Sequence, residues 1–168
     1  RMEEFTCIIC KKWWVCRNTK IYTKYPNGQH RKAPKSRSVC FCKTNGVKEV
    51  VFGVLDTQNR IDMDLVKRLS NISYPMRVTF HKAIDYSANI KEAFEQLIKC
   101  KAVTSVLTSG KGKFVLENRS LKKEIIQLYK DKINIILAGG ITNDNLDKIH
   151  KTFHCIEYHG KKIVGKLC

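Results

Sequence analysis

Several features are scarce or missing, and each absence narrows the field. No run of apolar residues is long enough to cross a bilayer. The start, Arg1-Met2-Glu3-Glu4, lacks the charged-then-apolar profile of a secretory signal. The expectation is therefore a soluble intracellular protein, in which the 8 cysteines read as thiols rather than as a disulfide framework. Acids are few, 15 Asp and Glu against 32 Lys and Arg, for a net charge of +17. The imbalance is concentrated early. Residues 1–48 hold 12 Lys and Arg against 2 Glu, while the remaining 120 hold 20 against 13. A basic segment of that kind suits an anionic surface or nucleic acid. A lysine-rich solvated surface accounts for the rest. The length, 168 residues, suits one domain with a core of its own.

Proline is also rare, and its placement divides the chain. Two of the 3 prolines, five of the 8 cysteines and both tryptophans lie in residues 1–47. That part shows no sustained helical or strand period. Lys24 to Lys35, with Pro26-Asn27-Gly28 inside it, reads as turn and loop. Residues 1–43 are expected to be an irregular, poorly ordered, basic and cysteine-rich segment. Residues 44–168 are expected to form the folded domain.

From Gly46 onward the pattern is regular. Apolar runs begin at Val50, Val78, Val106, Ile133 and Ile156, spaced 23 to 28 residues apart, and each ends in polar residues or glycine. Helical patterns lie between them. Leu65, Val66 and Leu69 share a face behind a capping Asp62, and Tyr74-Pro75 stops that helix. Ile90, Ala93, Phe94, Leu97 and Ile98 form a second apolar stripe, and Cys100 closes it as a packing residue. A third helix runs from about Leu121 to Tyr129, and Thr142 or Asn143 caps a fourth through Leu146 and Ile149. Alternating strands and helices at this spacing are βα units, which build parallel sheets or barrels. The fold class is α/β, a parallel sheet or barrel built from five such units.

In such folds ligands bind at the carboxyl ends of the strands. Thr79-Phe80-His81-Lys82-Ala83-Ile84-Asp85 is the richest strand end. Side chains alternate along a strand, so Thr79 and His81 share one face and Val78 and Phe80 the other. The catalytic candidates are His81, Asp85, Glu157 and His159, with His81 as acid, base or metal ligand and Asp85 as its orienting carboxylate. Gly139-Gly140 before a helix, with Thr108, Ser109 and Gly110 opposite, is a candidate phosphate cradle.

Two groups of cysteine and histidine are candidate metal sites. Cys7, Cys10 and Cys16, with Cys40-x-Cys42 beyond, offer soft thiolates for Cu(I) or zinc, but their spacing is not that of a standard zinc module. His150, His154 and Cys155 straddle a helix end and a strand start, so they are expected to diverge. Trp13-Trp14 among basic residues can stack on single-stranded nucleic acid, although no nucleic-acid-binding motif accompanies the pair.

Val51-Phe52-Gly53-Val54-Leu55 with Ile61-Asp62, then Thr79 to Asp85, Val106 to Gly110, Ala138 to Ile141 and Glu157 to Gly160 resemble the successive motifs of the CutC copper homeostasis proteins. The resemblance covers about Thr44 to Gly160. It implies a TIM-type barrel, the copper ion as partner and Cu(I) held by cysteine as cofactor. It also implies a homo-oligomer, a cytoplasmic or nucleocytoplasmic location, and no firmly established catalytic reaction. Neither nucleic acid nor a membrane is an expected partner. The matching part corresponds to the barrel's last five strands. The family's first three strands, with the cysteines it is thought to use, have no counterpart in residues 4–43. After His159-Gly160 the family continues Ser-Ala-Arg, whereas this chain has Lys161-Lys162. The abrupt change near residue 44 suggests a shifted reading frame or a misjoined exon upstream, and a truncated or degraded family member. Two other functions stay open: a TIM-barrel enzyme acting on a phosphorylated small molecule with His81 as acid/base, and a nucleic-acid-binding protein working through residues 1–43.

Overall fold

The computed structural model describes residues 6–7, 36–44, 46–160 and 162–163. Cys10, Cys16, Trp13, Trp14 and the side chain of Cys7 lie outside the described residues, so the calls made on them are not decided by the structure. A two-residue strand β1 (Thr6–Cys7) and a helix α1 (Ser36–Thr44) come first. Then β2 (Glu49–Phe52), α2 (Met63–Ser73), β3 (Arg77–Phe80), a 3-10 turn at Lys82–Tyr86 and α3 (Ile90–Ile98) follow. The series continues with β4 (Val103–Thr108), α4 (Arg119–Tyr129), β5 (Asn134–Ala138), α5 (Asn143–Phe153) and β6 (Glu157–His159). All the ladders are parallel, in the order β1-β6-β5-β4-β3-β2.

Local chemistry explains the boundaries. Asp62 caps α2 by accepting from the Leu65 N–H at 3.0 Å, as its position ahead of the apolar stripe predicts. Asn89 caps α3 through the Lys91 and Glu92 N–H groups. The run from Val50 to Leu55 is apolar throughout, yet β2 stops at Phe52. The Asp56 carboxylate accepts from the Gln58 and Arg60 N–H groups, each at 2.8 Å, and folds the chain back so that Leu55 bridges Ile61 in antiparallel fashion. α1 lies in the stretch where no period is legible. Its Val39 and Cys42 are wholly buried against the domain, which is tertiary stabilisation that a local pattern does not reveal.

Paired residues in a parallel ladder point to the same side of the sheet. Val50, Phe52, Val78, Phe80, Ile135, Leu137 and Tyr158 join the helices in one core. Phe94 of α3 stacks on Tyr129 of α4 there, with ring centroids 5.1 Å apart. The other side carries Glu49, Thr79, Ser105, Asn134 and Glu157, with a small apolar cluster of Leu107, Ile136 and Ala138. Thr79 therefore faces inward while Val78 and Phe80 face the helices.

A barrel that supplies only its last five strands leaves two sheet edges to cover. Thr6–Cys7 pairs with Glu157–Tyr158 and covers part of one of them. The outer edge of β2 pairs with no strand among the described residues.

Phe94→Ala is expected to cost about 3–5 kcal/mol, because the ring is fully buried and stacked. Urea unfolding followed by circular dichroism measures it. A loss below about 1 kcal/mol is the level of an exposed site and contradicts this packing.

Candidate functional site

The best-connected group at the strand ends is Asp85, carried by the 3-10 turn after β3. Its side chain is 6 % exposed. It accepts from Thr108 Oγ1 at 2.5 Å, from Ser109 Oγ at 2.8 Å, from the Ser109 N–H at 2.9 Å and from the Lys111 N–H at 3.3 Å. Lys82 Nζ stands 4.0 Å away. Thr108 and Ser109 are also used within their own turn: Thr108 Oγ1 accepts from the Gly110 N–H, and Ser109 Oγ lies 2.6 Å from the Gly112 carbonyl oxygen. Three residues expected around a ligand are thus joined to each other. They fix the turn after β4 against the turn after β3.

His81 behaves differently from the expectation of an acid/base paired with Asp85. Its Nδ1 accepts from the Ala83 N–H at 3.0 Å, which places the ring proton on Nε2. Burial lowers its pKa to about 4, so the ring is neutral at physiological pH. Gly53 permits this placement. A Cβ there would stand 2.7 Å from His81 Nδ1. His81 is arranged as a neutral donor through Nε2, with the lone pair of its other nitrogen already used.

The remaining candidates separate into two places. Glu157 sits on the inner face, level with Ile136, two residues before the end of β6. Burial raises its pKa, with Asn134 opposing that and Glu49 adding to it. Its Oε2 is buried without a hydrogen-bond partner. It belongs with Glu49, Thr79 and Asn134, and Thr79 Oγ1 bonds Glu49 Oε1 at 2.5 Å. His159, by contrast, lines a strand-end cavity of about 400 Å³ with Lys82, Gly139, Gly140, Thr142 and Lys162. Gly139 and Gly140 have φ of +116° and +71°, which glycine adopts without strain.

Two lysines were not singled out by the sequence. Lys162 faces the cavity, and the only hint of it was the departure after Gly160. Lys122 is 1 % exposed on α4, where it shares a stripe with Ile125, Ile126 and Tyr129. A lysine at the first position of an apolar i, i+3, i+4, i+7 stripe was the available signal. Its Nζ donates to the Glu117 carbonyl, and its stem packs over Gly110. Burial lowers its pKa, against the opposing pull of Asp85.

His150 and His154 approach each other while Cys155 joins them only through its backbone, so the three do not converge as a ligand set, as expected. His150 Nδ1 lies 3.0 Å from Tyr158 Oη, the two histidine rings are 5.7 Å apart, and the Cys155 N–H donates to Tyr158 Oη at 3.0 Å. The left-handed turn at His154 brings the two rings close. They stand at the amino end of β6, opposite the cavity. Among the described residues no three His, Cys, Asp or Glu gather as a metal-ligand set.

This is the strand-end face of a TIM-barrel-like α/β domain. The CutC family model matches residues 35–164, and the chain belongs to the CutC family. The match reaches back through α1, nine residues further than the motifs show. The human copper homeostasis protein cutC homolog is 36% identical over 117 residues, which is 70% of this chain and 42% of that protein. A CutC family protein of Mesorhizobium japonicum is 34% identical over 114 residues, 68% of this chain and 44% of that protein. The chain spans under half the length of these relatives. A solved CutC structure from Streptococcus agalactiae superimposes with a TM-score of 0.71 at 23% identity, over 77% of this chain and 63% of that one, and shows the same fold.

Two predictions follow from the Asp85 and His81 contacts. Asp85→Asn replaces an acceptor-only group with one that donates toward Ser109. It is expected to destabilise by about 1–3 kcal/mol, read as a shift of the urea midpoint; no shift contradicts the pinning role. For His81, the unfolded chain binds a proton below its ordinary 6.5 while the folded ring resists until about 4. The stability due to the neutral ring is fully present above pH 6.5. It is lost as pH falls toward 4, by roughly 3 kcal/mol. Wild type should lose that much more stability than His81→Gln between pH 7 and pH 4. Parallel pH profiles for the two contradict the shift.

Proposed function

We propose that the chain serves in copper homeostasis and binds Cu(I) as cargo. The family match over residues 35–164 carries this, together with the copper-homeostasis names of the human, mouse and Dictyostelium relatives. On the same proposal the protein works in the cytoplasm, with the nucleus as a second location, and self-associates.

The described cysteines do not fit a copper site. Cys42, Cys100 and Cys155 are buried in α1, after α3 and before β6, while Cys40 is exposed. Burial pushes the Cys155 thiol up to about 12, so it is protonated and a poor ligand. Cys7, Cys10 and Cys16, which lie outside the family match, are the candidates to test, since they place three soft thiolates within ten residues. An enzyme using His81 as a base is disfavoured, because the Nδ1 lone pair is taken and the ring resists protonation.

Anaerobic Cu(I) titration against a chromophoric Cu(I) chelator tests them. Wild type should withdraw one copper from the chelator. The Cys7→Ser, Cys10→Ser, Cys16→Ser triple variant should withdraw none, and Cys155→Ala should match wild type. A wild-type protein that leaves the chelator fully loaded overturns copper binding.

A further inference from the structure

We propose that the cavity at the carboxyl ends of β5 and β6 binds the phosphate group of a small phosphorylated molecule. Its volume of about 400 Å³ lies within the range of small-molecule pockets. Among the described residues the charged side chains that line it are cationic only: Lys82 enters after β3 and Lys162 after β6, with the imidazole of His159 beside them, and no described carboxylate lines it. Asp85, which stands 4.0 Å from Lys82 Nζ, is already occupied by Thr108, Ser109 and the Lys111 N–H, so it offsets Lys82 only in part. Two ammonium groups around one cavity match the double negative charge of a phosphate monoester better than a single carboxylate.

The backbone supplies donors of its own. Gly139 and Gly140 are consecutive left-handed residues, and the N–H groups of Gly140 and Ile141 make no hydrogen bond to the described residues. Successive free amides in such a turn form an anion-binding concavity. The amides at the start of α5 are spent elsewhere. The Thr142 N–H donates to Asn145 Oδ1 at 2.9 Å and the Asn143 N–H to the Lys162 carbonyl at 3.1 Å. The site is therefore built from the glycine turn and two lysines, and it does not depend on the helix terminus. Phe114 lies across Gly140, where an added Cβ would come within 2.9 Å of its ring, and half of Phe114 is exposed. Within the cavity, Ile141 and Ala138 offer apolar surface to the carbon skeleton that bears the phosphate. The proposal is independent of copper, and its test contains none.

Calorimetric titration of the full chain at low ionic strength uses inorganic phosphate, glycerol 3-phosphate and acetate as probes. Both phosphates should bind, glycerol 3-phosphate more tightly, and acetate should not. Lys82→Gln and Lys162→Gln should each weaken glycerol 3-phosphate at least tenfold. Both lysines have solvent-exposed surface, so the fold tolerates the change, and an unchanged thermal transition verifies that. Lys123→Gln, on the outside of α4, should leave the affinity unaltered. The proposal is overturned by absence of binding to either phosphate, by equal affinity in the Lys82→Gln, Lys162→Gln double variant, or by acetate binding as tightly as phosphate.

Discussion

The carboxylate of Asp85 holds the strand-end face together. It is nearly buried, and a buried charge is tolerated only when its lone pairs are filled. Here they are filled by the segment Thr108 to Lys111, which comes from a different βα unit. That requirement fixes where the turn after β4 must lie. Gly110 in turn receives the stem of Lys122, and Val115 reaches Gly139 through its N–H at 2.8 Å. The chain of contacts thus runs from β3 to β5 through one acid. It leaves Lys82 at the cavity rim, and the glycine turn on the opposite wall.

The two faces of the sheet solve different problems. The helix side is a continuous apolar core in which each strand contributes alternate residues. The inner side mixes acids, amides and hydroxyls with a small apolar cluster of Leu107, Ile136 and Ala138. Glu157 shows the tension there. Burial favours its protonated form, since no second partner satisfies Oε2. Ala138 belongs both to that inner apolar cluster and to the cavity lining, so the cavity adjoins the inner face.

The βα series was legible because a parallel strand buried on both faces reads as an apolar run, and its helices read as stripes with caps. Val78 to His81 and Asp62 ahead of α2 are examples. The resemblance to the CutC motifs rested on the same segments. What was not legible depended on tertiary partners. Ser36–Thr44 has a weak local pattern and folds because Val39 and Cys42 have somewhere to pack. Glu157 and His159 share a face by alternation, yet two residues along a strand separate them by about 7 Å, enough to place one in the inner band and one in the cavity. Spacing revealed the ring of polar strand ends. It did not reveal that Asp85, Thr108 and Ser109 would satisfy one another.

Among the described residues the outer edge of β2 pairs with no strand, and an edge of that kind offers its backbone groups to any strand that approaches, which in most proteins invites association. This chain carries a charge of +17, so two such edges repel at a distance. That protection is only as long-ranged as the ionic atmosphere allows, about 8 Å at physiological salt against about 30 Å in dilute buffer. The colloidal behaviour of the protein is therefore set by its solvent as much as by its fold, with salt or a polyanion acting as the agent that lets edges meet.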